Sequence, residues 1–364
     1  MATPITALTY FPRPDLKATV ATVVKSGLKS AITLFAPRRK GKTLFVHNEV
    51  MPWAQSDAWH PVYIDLWADR EQPEEALIRG LVKATRKSWI ARKLENVKLK
   101  GKTPIGELEA EFDKKHADGD VKRKAELRLA DAIDALVKQS SPVFLVLDEF
   151  QALAGTQREP FVAAFRSCLL KHGKKIFAFY TGSSEEQLIE MFRTQRAPLF
   201  DSAYAMELPD LGDDFVANRI EFVRERTRTR PDRKAMIEVF DRVNRSPEAL
   251  NDIALRLIIN NNNDVEGAYQ AWRNAVAINR QPRVWDELNL VERRILQSIA
   301  KGKKRGFMSQ EALAKLGEGT TLNTVNVAVR RLKRLDLIYA TGHRGELEIA
   351  DPYVIEFLRQ LPQL

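Results

Sequence analysis

The stretch that most restricts the fold is PVFLVLDEF, residues 142–150, apolar at nearly every position until Asp148 and Glu149. A strand with one wet face alternates apolar and polar residues, so a continuous apolar run must be covered on both faces. AITLFA (31–36), PVYIDLW (61–67) and KIFAFYTGSS (175–184) have related character, and AYAMEL (203–208) reads as a short last strand. Segments of helical spacing lie between them. DLKATVATVVKSG (15–27) ends at Gly27 as a C-cap, and TLFVHNEVMPW follows the first strand. PEEALIRGLVKATRKSWIARKL (73–94), KAELRLADAIDALVKQ and EPFVAAFRSCLLKHG complete the set. Helices alternating with apolar strands predict a parallel sheet with helices on both faces.

From about Leu211 the strand signal stops. DDFVANRIEFVRERTRTR, DRKAMIEVFDRV, SPEALNDIALRLII and DVEGAYQAWRNAVA read as a bundle of helices. From about Trp285 the pattern is three helices, two short strands around a polar turn, and a closing helix. The 364 residues exceed one ordinary core, and the expected units are 1–211, 212–284 and 285–364. The strongly charged segment 95–122 reads as an exposed insertion in the first of them.

Hydrophobic content of 44% with 29% charged residues is that of a globular chain. No apolar run reaches the ~20 residues that span a bilayer. The opening residues lack the cationic and then apolar order of a secretory signal, so the chain reads as cytosolic. Cys168, the one cysteine, sits in a helical apolar pattern and reads as a small buried side chain. The net charge of +10 points weakly toward an anionic partner.

The tripeptide Gly-Lys-Thr occurs twice, at 41–43 and 101–103. A phosphate-binding loop needs a strand that delivers the chain to a tight turn, and a helix whose first N–H groups face the anion. Only the first copy has that setting. Residues 36–44, Ala36-Pro37-Arg38-Arg39-Lys40-Gly41-Lys42-Thr43-Leu44, form the candidate loop. Lys42 would meet phosphate charge and Thr43 would offer its hydroxyl to Mg2+. The strict pattern opens with glycine; Ala36 is tolerable there provided its φ is negative, and Pro37 favours that geometry. The second copy lies in a charged stretch with Pro104 directly after it and reads as a solvated coincidence.

Asp148 and Glu149 close the most apolar strand, where open α/β sheets bind ligands. Asp148 is placed to hold the ion and Glu149 to polarise a water for attack on a γ-phosphate. Thr181, Ser183 and Ser184 end another buried strand, as phosphate or water contacts or as helix caps. ATP or GTP binding follows.

Together these residues resemble the AAA+/STAND-type P-loop ATPases, in particular the archaeal-type group. The matching segments are Arg38–Thr43, Asp148-Glu149 and Gly182-Ser183-Ser184. NRSPEAL (244–250) is similar to the lid motif, and YFPRPDL (10–16) to the segment that often borders the adenine. The resemblance implies sheet order 5-1-4-3-2, a helical lid, a C-terminal winged helix, ATP with Mg2+, and self-association. APLFDSAYAMEL lacks the arginine that relatives place before the last strand. Arg193 or Arg196 then serves as the finger reaching a neighbour's phosphate, and Arg196 is preferred.

LNLVERRILQSIAKG, SQEALAKLG and TLNTVNVAVRRLKRLDLI have helix-turn-helix spacing. In a DNA-binding version Thr321, Asn323, Thr324 and Asn326 meet base edges, while Arg330, Arg331, Lys333 and Arg334 contact phosphate, with His343 and Arg344 in the wing. The same helices serve equally as a protein-docking module. The basic run 83–102 is a further candidate for lining a ring on nucleic acid. The expected function is an assembling ATPase that uses its ATP state to control DNA engagement in transposition, replication or mobile-element regulation. The rival is a STAND-type signalling or defence switch whose winged helix grips protein.

Overall fold

The computed structural model describes residues 10–98, 125–139, 142–279, 285–317, 319–340 and 345–362. Its centre is a sheet of five strands: β1 (Ala31–Phe35), β2 (His60–Asp65), β3 (Val143–Asp148), β4 (Ile176–Gly182) and β5 (Tyr204–Glu207). They lie in the order β2-β3-β4-β1-β5, every pair parallel. This is the expected 5-1-4-3-2 order read from the opposite edge.

Side-chain alternation divides the core into two layers. Val143, Leu145, Leu147, Ile176, Ala178 and Tyr180 face one layer with Val62 and Ile64. That layer is closed by helices α4 (Pro73–Lys98), α5 (Ala125–Gln139), α6 (Glu159–Lys171) and α7 (Glu185–Arg193). Phe144, Val146, Phe177, Phe179, Ile32 and Leu34 face the other. There the cover comes from α1 (Pro14–Ser26), α2 (Lys42–Phe45) and α3 (Met51–Ser56). Gly27 ends α1 at φ 65°, the left-handed cap its position predicted.

Between α2 and α3 the backbone widens into one π turn, Val46–Val50, so the chain stays helical from Lys42 to Ser56. Pro52 lacks the N–H that an α-helix would direct at residue 48, and its ring crowds that carbonyl. The wider turn accommodates both, with Met51 N–H donating to the Val46 carbonyl.

The strands end one or two residues earlier than the sequence pattern indicated, because the chain turns away there: Ala36 enters the loop after β1, and Leu66–Asp69 and Phe150–Leu153 form 3-10 turns. Helix α4 in contrast runs on through residues 95–98, which the charge pattern had assigned to an exposed insertion. The remainder of that insertion, the second Gly-Lys-Thr and the end of the basic run 83–102 lie outside the described residues.

Four helices follow: α8 (Asp213–Thr227), α9 (Arg233–Arg242), α10 (Pro247–Ile259) and α11 (Val265–Asn279). Their apolar faces meet around Trp272, Phe240 and Phe215, and the cluster also takes in Tyr353 and Phe11. Asp232 and Ser246 cap α9 and α10 through their side chains. The last part contains α12 (Leu290–Ala300), α13 (Gln310–Leu316) and α14 (Leu322–Arg334), then the antiparallel pair β6 (Ile338–Ala340) and β7 (Leu347–Ile349), and α15 (Pro352–Gln360). A capping box, Asn289 with Glu292, starts α12. Buried Glu356 of α15 pairs with Arg273 of α11 at 3.1 Å and with Arg359, tying the helical unit to the final helix. Among the described residues no helix is long and apolar enough to cross a membrane.

Candidate functional site

Strand register decides what meets at the sheet edge. Phe35 of β1 lies opposite Gly182 of β4, and Leu147 of β3 lies opposite Tyr180 of β4. The loop after β1, the acidic pair after β3 and the polar end of β4 therefore emerge level with one another.

Ala36 is 1% exposed and donates its N–H to the Gly182 carbonyl at 3.3 Å. Its φ is negative, since it is not among the residues of positive φ. That is why a methyl group fits where the strict motif has glycine. The left-handed turn falls instead at Arg39 (φ 64°) and Gly41 (φ 92°). A Cβ on Gly41 would meet nothing within 4 Å, so conformation rather than space favours glycine there. Gly41 precedes α2, and no side chain caps that helix start. Its first N–H groups are left for another acceptor.

Lys42 and Thr43, the first residues of α2, reach across to the acids. The Lys42 ammonium lies 3.0 Å from Glu149 Oε1 and 4.0 Å from Asp148 Oδ1. Thr43 donates to Asp148 Oδ2 at 3.1 Å, Tyr63 of β2 donates to the same oxygen at 2.7 Å, and Thr181 donates to Oδ1. Burial pushes the Asp148 carboxyl up, but the Lys42 charge and the bonds from Thr181, Tyr63 and Thr43 outweigh it and hold the group below the usual carboxylate value. Burial and the neighbouring Asp148 push the Tyr63 phenol upward, so it remains a donor. Glu149 adopts φ 54°, ψ 45°, a left-handed conformation that L-residues with side chains rarely hold. It turns its carboxylate toward Lys42 on one side and the Ser183 backbone N–H (3.2 Å) and hydroxyl (2.8 Å) on the other.

The rest of the loop is held from outside the sheet. Lys40 bonds Asp210 at 2.7 Å and the Asn244 carbonyl at 2.6 Å. Arg39 bonds Asp351 at 2.9 Å and Glu248, with its guanidinium 4.2 Å from the Tyr353 ring centre. Arg38 reaches Asp336 at 3.4 Å. Behind the loop, Arg13 donates to the Lys40 carbonyl at 3.1 Å and, through its N–H, to buried Glu49. Burial pushes the Asp336 carboxyl up; Arg38 and a bond from Ser184 oppose this without reversing it. Ser184 stands at the start of α7 yet makes no side-chain cap, and it lines a small cavity together with Asp336.

Lys42, Thr43, Asp148, Glu149, Thr181 and Ser183 are thus gathered within one cluster. Leu44 and Arg196 are exposed and make none of its contacts. On α14, Asn323, Thr324, Arg330 and Arg334 are exposed, with Thr321 at its cap. Arg331 is turned inward, paired with buried Glu292 at 2.9 Å. Lys333 lines a small cavity of about 150 Å3 with Ser183, Ser184 and Asp336. Arg344 lies outside the described residues. Sequence reasoning missed Tyr63, Gln151, Glu49, Glu248, Asp336 and Asp351. Gln151 alone carried a local signal, two positions beyond the acidic pair.

No protein-family model and no curated protein matches this sequence. Solved structures do match its fold. A Walker-type ATPase of Pyrococcus abyssi superposes with TM-score 0.69 at 18% identity, covering 96% of each chain. The Aeropyrum pernix ORC2 protein in its ADPNP-ADP complexes superposes with TM-score 0.55 at 13% identity, covering 95% of this chain and 91% of that one. These likenesses show the fold: a P-loop-type α/β sheet in the order β2-β3-β4-β1-β5, followed by the helical units.

Proposed function

We propose that the chain binds and hydrolyses Mg-ATP at the edge between β1, β3 and β4, self-assembles, and uses the state of its nucleotide to control engagement of DNA. The observation that carries the hydrolytic part is the pairing of Lys42 with Glu149 and of Thr43 with Asp148, between the start of α2 and the end of β3. The donor set fits the nucleotide. An ammonium and uncapped N–H groups answer phosphate, and a hydroxyl beside an ionised carboxylate answers a hard cation. Among the described residues no three His, Cys, Asp or Glu side chains could hold a metal by themselves. Thr43 and Asp148 would hold Mg2+ together with phosphate oxygens, which suits an ion that takes few protein ligands. When bound, it neutralises charge on the β and γ oxygens.

The residues themselves do the following. Lys42 leaves Glu149 for phosphate, which frees one carboxylate oxygen. Glu149 takes a proton from the attacking water, and Thr181 and Ser183 hold the neighbouring carboxylates in place. Arg196, exposed on the segment between α7 and β5, is available to a neighbouring protomer. The last unit acts as a winged helix, its exposed Arg330 and Arg334 meeting phosphate of DNA.

Fluorescent ATP-analogue binding tests this reading. Lys42→Ala should abolish binding and Glu149→Gln should retain ATP with only residual turnover; unaltered turnover in either refutes the assignment. Filter retention of DNA with and without analogue tests the second half, and no retention in either state removes it.

A second reading has its own observation. The loop's Arg38 and Arg39 pair with Asp336, Glu248 and Asp351, all from the units downstream. That contact favours a STAND-type switch, in which nucleotide competes for the loop and the last unit grips protein.

A further inference from the structure

Gln151 belongs to the short 3-10 turn that follows the acidic pair, Phe150–Leu153, and is 4% exposed. Its amide nitrogen donates to Glu149 Oε2 and, at 3.1 Å, to the Ser183 hydroxyl. Its amide oxygen is buried and has no hydrogen-bond partner. A buried acceptor left unmatched is uncommon, but turning the amide over would set its oxygen against Glu149 Oε2, two acceptors face to face, and would draw the Ser183 hydroxyl away from that carboxylate. The orientation is therefore fixed by what the nitrogen does.

The backbone is shaped to admit this amide. A Cβ on Gly182 would stand 2.5 Å from Gln151 Oε1 and 2.7 Å from Leu188 Cδ1. The glycine at the end of β4 leaves the space that Gln151 fills, and the next residue, Ser183, completes the contact.

The two oxygens of Glu149 are consequently unequal. Oε2 accepts from the Ser183 N–H, the Ser183 hydroxyl and the Gln151 amide. Oε1 has the Lys42 ammonium at 3.0 Å. Once phosphate draws Lys42 away, Oε1 is the oxygen released, while Oε2 stays clamped between β4 and the turn. We propose that Gln151 is a positioning residue for hydrolysis: with Ser183 it pins Oε2 so that Oε1 faces the attacking water.

This inference rests on Glu149 acting as the base, so its test must separate the two. Gln151→Leu keeps the volume and removes both donations, and Gln151→Ala is the second variant should leucine disturb packing. Steady-state hydrolysis and equilibrium binding of a fluorescent ATP analogue are measured for each, alone and with Glu149→Gln. The expected result is a fall in kcat of about 10- to 100-fold, with analogue affinity within about twofold of wild type and no further loss in the Glu149→Gln background. Gln151→Asn, shorter but still a donor, should recover part of the rate. Unchanged kcat in both Gln151 variants, or an equal fractional loss with and without Glu149, overturns the inference while leaving the ATPase reading intact. A wild-type protein that neither binds nor hydrolyses Mg-ATP removes both.

Discussion

Removing Lys42 should damage the protein even with no nucleotide present. Lys42 and Asp148 are 6% and 4% exposed, and Glu149 is only partly covered. Unit charges 4 Å apart attract by about 4 kcal/mol at an effective dielectric near 20, and Lys42 lies 4.0 Å from Asp148 and 3.0 Å from Glu149. The desolvation of the ammonium offsets part of this. Lys42→Ala then leaves two adjacent carboxylates facing each other in a crevice, and removing one partner of a buried pair costs about 3–5 kcal/mol. At about 2–4 °C per kcal/mol for a unit of some 200 residues, the sheet unit should melt roughly 10 °C lower. The assay is a thermal or urea melt of the ligand-free protein for wild type, Lys42→Ala, Glu149→Gln and the double variant. The double variant should melt above Lys42→Ala, because one of the two like charges is gone. Acid supplies an independent check of sign. In the wild type Asp148 is held below its usual value, so its contribution is present above the unfolded carboxylate value and is lost as pH falls through the folded one. Without Lys42 the largest influence opposing burial is gone and the folded value moves upward, so the deficit of Lys42→Ala should shrink as pH drops toward about 4. A Lys42→Ala protein as stable as wild type, or a double variant no better than the single, would refute the reasoning.

Further outcomes follow from single contacts. Tyr63→Phe deletes the 2.7 Å bond to Asp148 and should raise the Mg2+ concentration for half-maximal turnover several-fold, since such a bond is worth about 1 kcal/mol or more; an unchanged Mg2+ titration would contradict it. Arg330→Ala with Arg334→Ala should leave the melting temperature alone and flatten the salt dependence of DNA retention by about two units of slope. Arg331→Ala should do the reverse: it strands buried Glu292 and lowers stability by a few kcal/mol, about 3 being typical, seen in the same melts. Gly182→Ala must displace both Gln151 and Leu188, and its hydrolysis rate should fall toward that of Gln151→Leu; a rate equal to wild type would show that the space is not needed.

What was legible in the sequence was what local pattern encodes. Continuous apolarity at 143–147 implied cover on both faces, and the alternation of helix and strand implied parallel pairing. The loop was readable because its conformation depends on residues adjacent in the chain: Pro37 after Ala36, and Gly41 before the helix. The acidic pair was readable because ionised groups at the end of a buried strand need partners. Tyr63, Glu248, Asp336 and Asp351 lie far from their partners in the sequence. Each is an ordinary residue for its own element, a strand tyrosine, a first-turn helix acid, a residue after a helix end and an N-cap. Nothing local distinguishes such residues from solvated ones until packing brings the partner near. Arg331 shows the same limit from the other side, since its run of basic neighbours read as one surface while the helix period turned it inward to Glu292.

The Gly182-Ser183-Ser184 run shows how a short polar string can be recognised before its reasons are. Read alone, its hydroxyls were equally good as helix caps or as ligand contacts. In the fold Ser184 makes no side-chain cap, Ser183 turns to Glu149, and Gly182 vacates the space for Gln151. Positions 182 and 183 therefore face two different requirements, one steric and one polar, set by the turn that carries Gln151 and by the acidic residue before it. A substitution that satisfies the strand's preference for larger side chains at 182 violates the first, and one that removes the hydroxyl at 183 violates the second. The run is kept short and small because its neighbours, not its own strand or helix, determine what fits.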